Sequence, residues 1–261
     1  MKNYSTLEVT QSNNTTKINL NRPQLKNAFN QDLMKDLTHC FEELRTSNSR
    51  LVILSGNGSD FCSGADLTWM NDNDTANSDK NSKLILQMYL AIANCDLPIV
   101  CHVFGRVYAG GIGLCAAADV VVAEENTIFC LSEVRVGLAP ALMAPILINR
   151  IGVSRFRELT ITARKFGVQE ALHMGLLDYQ FQSENFESKF EALVHEMVQA
   201  SPSAIRATKQ ICRELGRNSL ETHGNYLSGM LTKLRDSEEA RDGIAAFKEK
   251  RKAKWSKNDN T

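Results

Sequence analysis

Three short segments hold residues whose types and spacing could do chemistry. The first is Phe129-Cys130-Leu131-Ser132-Glu133-Val134-Arg135-Val136-Gly137-Leu138-Ala139-Pro140, where Glu133 and Arg135 are isolated charges among apolar neighbours. A carboxylate so placed is either paired with a cation or has a raised pKa suited to general acid–base work. Taken alone, the segment reads more simply as an internal salt bridge. The second is Gly58-Ser59-Asp60-Phe61-Cys62-Ser63-Gly64-Ala65-Asp66-Leu67, a glycine-bearing turn after an apolar strand. Gly64 lets the backbone bend so that following amides point into a cleft, where they could bind a developing oxyanion without any side chain. A plain strand-to-helix turn capped by Asp66 explains the same residues equally well. The third is Gly105 followed by Ala109-Gly110-Gly111-Ile112-Gly113-Leu114-Cys115-Ala116-Ala117-Ala118-Asp119. A helix whose first turn is glycine and alanine packs closely and leaves its first N–H groups accessible at the positive end of the dipole. That suits a second oxyanion donor, and it is compatible with a tightly packed core helix.

Gly111-x-Gly113-x-x-Ala116 also fits the dinucleotide-binding fingerprint, with Glu133 as an acid about twenty residues on. Two features count against it: the match falls mid-chain, and the sequence beyond it turns helical instead of supplying further strands.

The elements that must position these segments follow from periodicity. Thr15 to Leu20 alternates polar and apolar and predicts a strand ending at Asn21-Arg22-Pro23. Asn30 caps a helix carrying Leu33, Leu37, Phe41 and Leu44 on one face. Leu51 to Leu54 is wholly apolar, as in a strand covered on both sides. Asn71 to Ser82 is polar and reads as a mobile surface loop. Then come a helix over Leu84 to Cys95, a strand over Ile99 to Phe104, the small-residue helix Gly110 to Ala118, and strands at Val120 to Val122 and Thr127 to Cys130. Strand alternating with helix implies crossovers and largely parallel, covered sheets. Beyond Gly137 the pattern is mostly helical, with amphipathic spacing over Glu191–Ala200, Ser203–Leu215 and Ser219–Lys250. Ser201-Pro202-Ser203 divides an α/β body, residues 1–200, from a helical region, residues 201–261.

Composition excludes several classes. Lysine plus arginine and aspartate plus glutamate are 30 each, so no global field gathers nucleic acid. The seven cysteines form no C-x-x-C pair, and the five histidines show no ligand spacing, which argues against disulfides, structural zinc or another metal site. Met1 to Gln11 lacks a secretory pattern, and no stretch reaches the roughly 18 apolar residues of a membrane span. These features fit a soluble protein of a reducing cytoplasm.

Together the segments resemble the crotonase, or enoyl-CoA hydratase/isomerase, superfamily. The resemblance runs from Leu20-Asn21-Arg22-Pro23 and Asn27-Ala28 through Phe61–Asp66, Gly105–Asp119 and Phe129–Pro140 to Phe247-Lys248-Glu249-Lys250-Arg251. It implies an α/β spiral of stacked ββα units with a C-terminal helical oligomerisation domain, assembled as a homotrimer or hexamer. It implies that the amides of Ala65 and Gly110 stabilise a thioester enolate and that Glu133 moves the proton. The acyl-CoA thioester would run past Ala28, Ala65, Asp66 and Leu67, with Lys26 near the nucleotide. Phe247 and Lys250 would reach the adenosine phosphate, from a neighbouring subunit. Coenzyme A is then part of the substrate, and no separate cofactor is expected.

Two-glutamate hydratases of this superfamily carry a second acid where this chain has Gly113. A single glutamate is similar to Δ3,Δ2-enoyl-CoA isomerases. The words around Gly111–Leu114 and Phe129–Arg135 instead resemble bacterial 3-methylglutaconyl-CoA and isohexenylglutaconyl-CoA hydratases. The expectation is therefore hydration of a branched, carboxylated enoyl-CoA. Gly113 would leave room for a water or the substrate carboxylate, and Arg135 would support Glu133 or that carboxylate. The isomerase is the alternative. An RNA-binding or scaffold role for the basic C-terminal segment is a further one, disfavoured by net neutrality and the lack of interleaved aromatics.

Overall fold

A computed structural model of the chain describes residues 3–12, 14–66, 68–69, 75–215, 232 and 237–256, with the backbone alone at 75–79, 215, 247, 248 and 256. The strands are β1 (Leu7–Ser12), β2 (Thr15–Leu20), β3 (Leu51–Gly56), β4 (Ile99–Val103), β5 (Arg106–Tyr108), β6 (Val120–Glu124), β7 (Ile128–Cys130), β8 (Lys165–Gly167) and β9 (Tyr179–Phe181). The helices are α1 (Gln31–Glu43), α2 (Thr75–Ala93), α3 (Gly110–Ala117), α4 (Ala144–Thr162, interrupted at Gly152), α5 (Val168–His173), α6 (Phe186–Gln199), α7 (Pro202–Leu215) and α8 (Glu238–Glu249).

One sheet runs β1-β2-β3-β4-β6-β9 and a smaller one β5-β7-β8. In the larger sheet only β1 and β2 pair antiparallel. β4 and β5, then β6 and β7, put consecutive strands into the two sheets, and a helix follows each pair. β3 begins a reduced version of the same turn, in which Cys62 makes a single parallel bridge to Val107 before α2. The chain is thus a spiral of strand–strand–helix turns, as its sequence resemblance implied.

Alternation explains the apolar run at β3. Val52, Leu54, Cys101 and Val121 face the main core, whereas Leu51, Ile53, Val100 and Val122 face Phe186, Phe190 and Val198 of α6. A sheet covered on both faces needs hydrophobes at every position. The α1 face is buried at Leu33, Leu37 and Phe41, and Asn30 accepts the Leu33 amide at 3.0 Å, which is the expected cap.

The polar stretch 71–82 is not a loop throughout: α2 begins at Thr75, while 71–74 lie outside the described residues. Its C-terminal half supplies the buried Met88, Tyr89 and Ile92, and a helix needs an apolar stripe only along the part of it that packs. Pro202 opens α7, a position where its missing N–H costs nothing. Contacts cross the 200/201 boundary. Arg50 donates to Trp255 O at 2.5 Å, and Lys209 meets Leu97 O at 2.7 Å and Asp119 at 2.5 Å. Among the described residues no helix is long and apolar enough to cross a membrane.

Candidate active site

The turn after β3 is anchored from below. Asp60, 3% exposed, accepts from the Arg106 amide at 3.0 Å, from Nε at 2.6 Å and from Nη2 at 2.8 Å. The guanidinium holds the Asp60 carboxyl below its usual range. The buried Asn27 side chain accepts from the Arg22 amide and donates to Asn57 O and Asp60 O, tying residues 22–29 to this turn. Phe29 then forms a parallel bridge with Ala65: its amide donates to Gly64 O at 2.8 Å, and its carbonyl accepts from Asp66 N at 2.9 Å. In such a bridge the residue between the two bonds turns its own N–H to the other side. The Ala65 amide is therefore left facing away from Phe29.

What it faces is the start of α3. Gly64 has φ +92°, and a β-carbon there would stand 2.7 Å from Ala109 Cβ and 3.5 Å from Gly110 N. Only glycine allows the two backbones this approach. Ala109 caps α3 with φ 48° and ψ −121°, a conformation that costs an L residue roughly 1–3 kcal/mol. Its amide is fixed on Cys130 O at 2.9 Å. Gly110, as the first helical residue, has no acceptor within the helix. Neither the Ala65 nor the Gly110 amide donates to a carbonyl of the described residues. Both residues line one cavity of about 240 Å³, together with Phe29, Tyr89 and Glu133. Two converging amides beside a helix N-terminus can hold an oxyanion.

Glu133 opens a 3₁₀ turn (Glu133–Val136) after β7. Burial pushes its carboxyl above the ordinary carboxylate value, and its Oε2 is buried without a hydrogen-bond partner among the described residues. Such an unmet acceptor is costly, so it points to a partner that arrives with a ligand. Arg135 is not that partner. Two residues further along a turn of three residues per revolution, it leaves the Glu133 side and donates to Ala163 O at 2.9 Å. The internal salt bridge between the two is absent.

Gly113 departs from expectation too. It leaves no room for water or a carboxylate, because Tyr89 fills the space. A β-carbon on Gly113 would lie 2.6 Å from Tyr89 Cζ and closer still to the hydroxyl. Gly111 is covered by Cys62, whose Cβ and carbonyl would stand 2.9 Å from an added β-carbon, so the G-x-G run offers no open backbone for a pyrophosphate.

Of the remaining expected binding residues, Ala28, Lys26 and Asp66 are not among those that line the cavity. Asp66 pairs with Arg22 at 3.1 Å and accepts the Thr68 and Trp69 amides, so its carboxylate is already committed. Ala28 is buried and its carbonyl accepts from Arg22; Lys26 is exposed with φ 52°, and its carbonyl accepts from Ser63 N at 3.0 Å. Leu67 lies outside the described residues. Phe247, described by backbone alone, lies within α8, and Lys250 follows that helix, exposed and away from the residues that line the cavity. Sequence reasoning missed Tyr89, Phe29 and Ile85, and it named the apolar wall only as far as Pro140, short of Ala141, Leu142 and Met143. The one available signal was a lone hydroxyl on the apolar face of α2. A larger groove of about 890 Å³ between α3, α4, α6 and α7 is mostly apolar; Lys209, Asp119 and Arg213 on its rim are ion-paired.

The two-sheet spiral thus brings the Ala65 and Gly110 amides and a buried carboxylate to one cavity, an arrangement that can bind an oxyanion. The chain belongs to the enoyl-CoA hydratase/isomerase family, whose model matches residues 10–258. It is 32% identical to enoyl-CoA hydratase AKT6-1 of Alternaria alternata over 94% of this chain and 82% of that one. It is 30% identical to 2,3-dehydroadipyl-CoA hydratase of Escherichia coli over 95% and 97% of the two chains. The crystal structure of an enoyl-CoA hydratase from Shewanella pealeana superposes with a TM-score of 0.90 at 25% identity, covering 96% of each chain. The crotonase fold is thereby established.

Proposed function

We propose that this enzyme adds water to the α,β double bond of a short enoyl-CoA. The observation that carries the reading is the unpartnered, buried Glu133 carboxylate oxygen in the same cavity as the Ala65 and Gly110 amides. The two amides hold the thioester oxygen and stabilise the enolate as water attacks Cβ. Glu133 takes a proton from the water and returns it to Cα, so no resident cofactor is needed. Because the carboxylate form is required, activity falls as pH drops through the raised Glu133 pKa, above the range of an ordinary glutamate.

The acyl group is the finer question. The segment resemblance supports a carboxylated substrate such as 3-methylglutaconyl-CoA, and the E. coli relative is named for a 2,3-dehydroadipyl thioester. The described walls, however, hold no lysine, arginine or histidine, and they already contain the Glu133 anion. A second buried carboxylate there would be unpaired, so an uncharged, short acyl group is the one we propose. The volume is below that of a site for a whole drug-sized ligand and fits the reacting end of a short chain. The isomerase reading rests on Gly113: one carboxylate suffices to move a proton from Cα to Cγ. The family resemblance also supports a cytoplasmic trimer or hexamer in which Phe247 and Lys250 of a neighbour reach the nucleotide; light scattering on the purified protein tests the assembly.

The deciding assay follows the conjugated thioester absorbance with crotonyl-CoA, 3-methylcrotonyl-CoA, 3-methylglutaconyl-CoA and a 3-enoyl-CoA. Hydration of crotonyl-CoA, lost by about a hundredfold or more in Glu133→Gln, is the expected result. Turnover of 3-methylglutaconyl-CoA alone would restore the carboxylated substrate. Turnover of the 3-enoyl-CoA alone would make the enzyme an isomerase.

A further inference from the structure

Few atoms in this cavity can hold a water molecule. Of the described side chains that line it, only Ser82, Tyr89 and Glu133 carry an oxygen or nitrogen. A water in an apolar cavity needs two to four polar partners. Ser82 and Tyr89 share one face of α2 but are two turns apart, about 10 Å along the axis, so they do not grip one water. Ser82 is exposed, whereas Tyr89 is buried and near enough to Glu133 for its charge to act on the phenol, so Tyr89 and Glu133 remain.

Tyr89 is fixed for such a task. It is 4% exposed, and its hydroxyl donates to Gly110 O at 2.9 Å. That bond uses its proton and leaves its lone pairs available. The missing side chain at Gly113 is what admits the phenol, since a β-carbon there would overlap the ring. Burial, with a smaller contribution from the nearby Glu133 carboxylate, keeps the phenol protonated well above neutral pH. It can hold a water without competing with Glu133 for a proton.

Building on the hydratase reading of this site, we propose that Tyr89 is the second group on the reacting water. Its hydroxyl oxygen accepts one O–H of the water while Glu133 accepts the other, and the two together aim the water oxygen at Cβ. The water oxygen bonds to Cβ as the π electrons of the double bond move toward the thioester oxygen. The O–H directed at Glu133 breaks, and its proton goes to the carboxylate. The enolate collapses by taking that proton onto Cα, which returns Glu133 to its starting state. The O–H held by Tyr89 stays with the product as its 3-hydroxyl group, and Tyr89 exchanges no proton.

The test is Tyr89→Phe, which keeps the ring and removes the acceptor. Two activities are read on one preparation: hydration of crotonyl-CoA, and exchange of the α-hydrogens of butyryl-CoA with D2O. Exchange needs Glu133 and the two amides but no positioned water, and its survival also reports a folded site. The expected result is a fall in hydration kcat of about ten- to a hundredfold, with exchange retained, while Glu133→Gln loses both. Equal loss of both activities in Tyr89→Phe would mean that Tyr89 only braces the Gly110 peptide, and the proposal would fall. Unchanged hydration would also sink it, leaving the hydratase reading intact. A wild-type enzyme that exchanges butyryl-CoA but hydrates no enoyl-CoA would overturn the hydratase reading and the role of Tyr89 together.

Discussion

Position 113 is filled by its neighbour. Tyr89 occupies the volume that a side chain on Gly113 would need, so the two residues behave as one steric unit. Gly113→Glu should therefore destabilise the fold by about 1–3 kcal/mol through overpacking, read as a lower urea midpoint. Tyr89→Ala combined with Gly113→Glu should recover part of that loss; equal midpoints for wild type and Gly113→Glu would show that the ring moves aside freely. Glu133 was legible in the sequence, because an isolated carboxylate among apolar residues has few explanations. Tyr89 was not. It reaches Gly113 across 24 positions, and helical periodicity does not distinguish a tyrosine that meets a cavity from one that packs in a core. Arg135 misled for the related reason that spacing in a tight turn, which sequence alone does not reveal, decides which side a charge takes.

Between elements, His102 joins β4 to α6. Its Nδ1 lies 3.2 Å from Ser55 Oγ and its Nε2 3.2 Å from Glu124, while its ring stacks on Phe186 at 4.4 Å. Burial, with a smaller contribution from Lys17, pushes its pKa down to about 4. The folded state then binds fewer protons than the unfolded chain between about pH 6.5 and 4, so stability must fall as pH drops through that window. The loss should approach about 3 kcal/mol at the acid end. Chemical denaturation of wild type and His102→Gln across this range checks it: the variant should show a shallower pH slope, and identical slopes would refute the assignment. At this scale the long elements were readable. Asn30 and the α1 face, the apolar β3 and the small-residue α3 all stand where patterning put them. β5, β8 and β9, of three residues each, are too short to carry a period. The polar front of α2 was misread because low hydrophobicity reports exposure rather than conformation.

Over the whole molecule, the C-terminal segment is fastened to the sheet rather than hung from it. Trp255 Nε1 donates to Gln199 O at 2.8 Å, its carbonyl accepts from Arg50, and its ring packs on Gly243. Trp255→Ala should cost about 1–3 kcal/mol from lost packing and a lost hydrogen bond, within a single unfolding transition. Circular dichroism and tryptophan fluorescence should report coincident midpoints; two separated transitions would mean that residues 201–261 fold as an independent unit. The bridge between Phe29 and Ala65 is itself a main-chain device. Both amides proposed to stabilise the enolate are main-chain groups. The electrophilic half of the site is therefore encoded in dihedral angles: drift can rewrite Ala65, proline excepted, while the chemistry persists, but Gly110 is held by its surroundings, since a β-carbon there would stand 2.7 Å from the Phe29 ring.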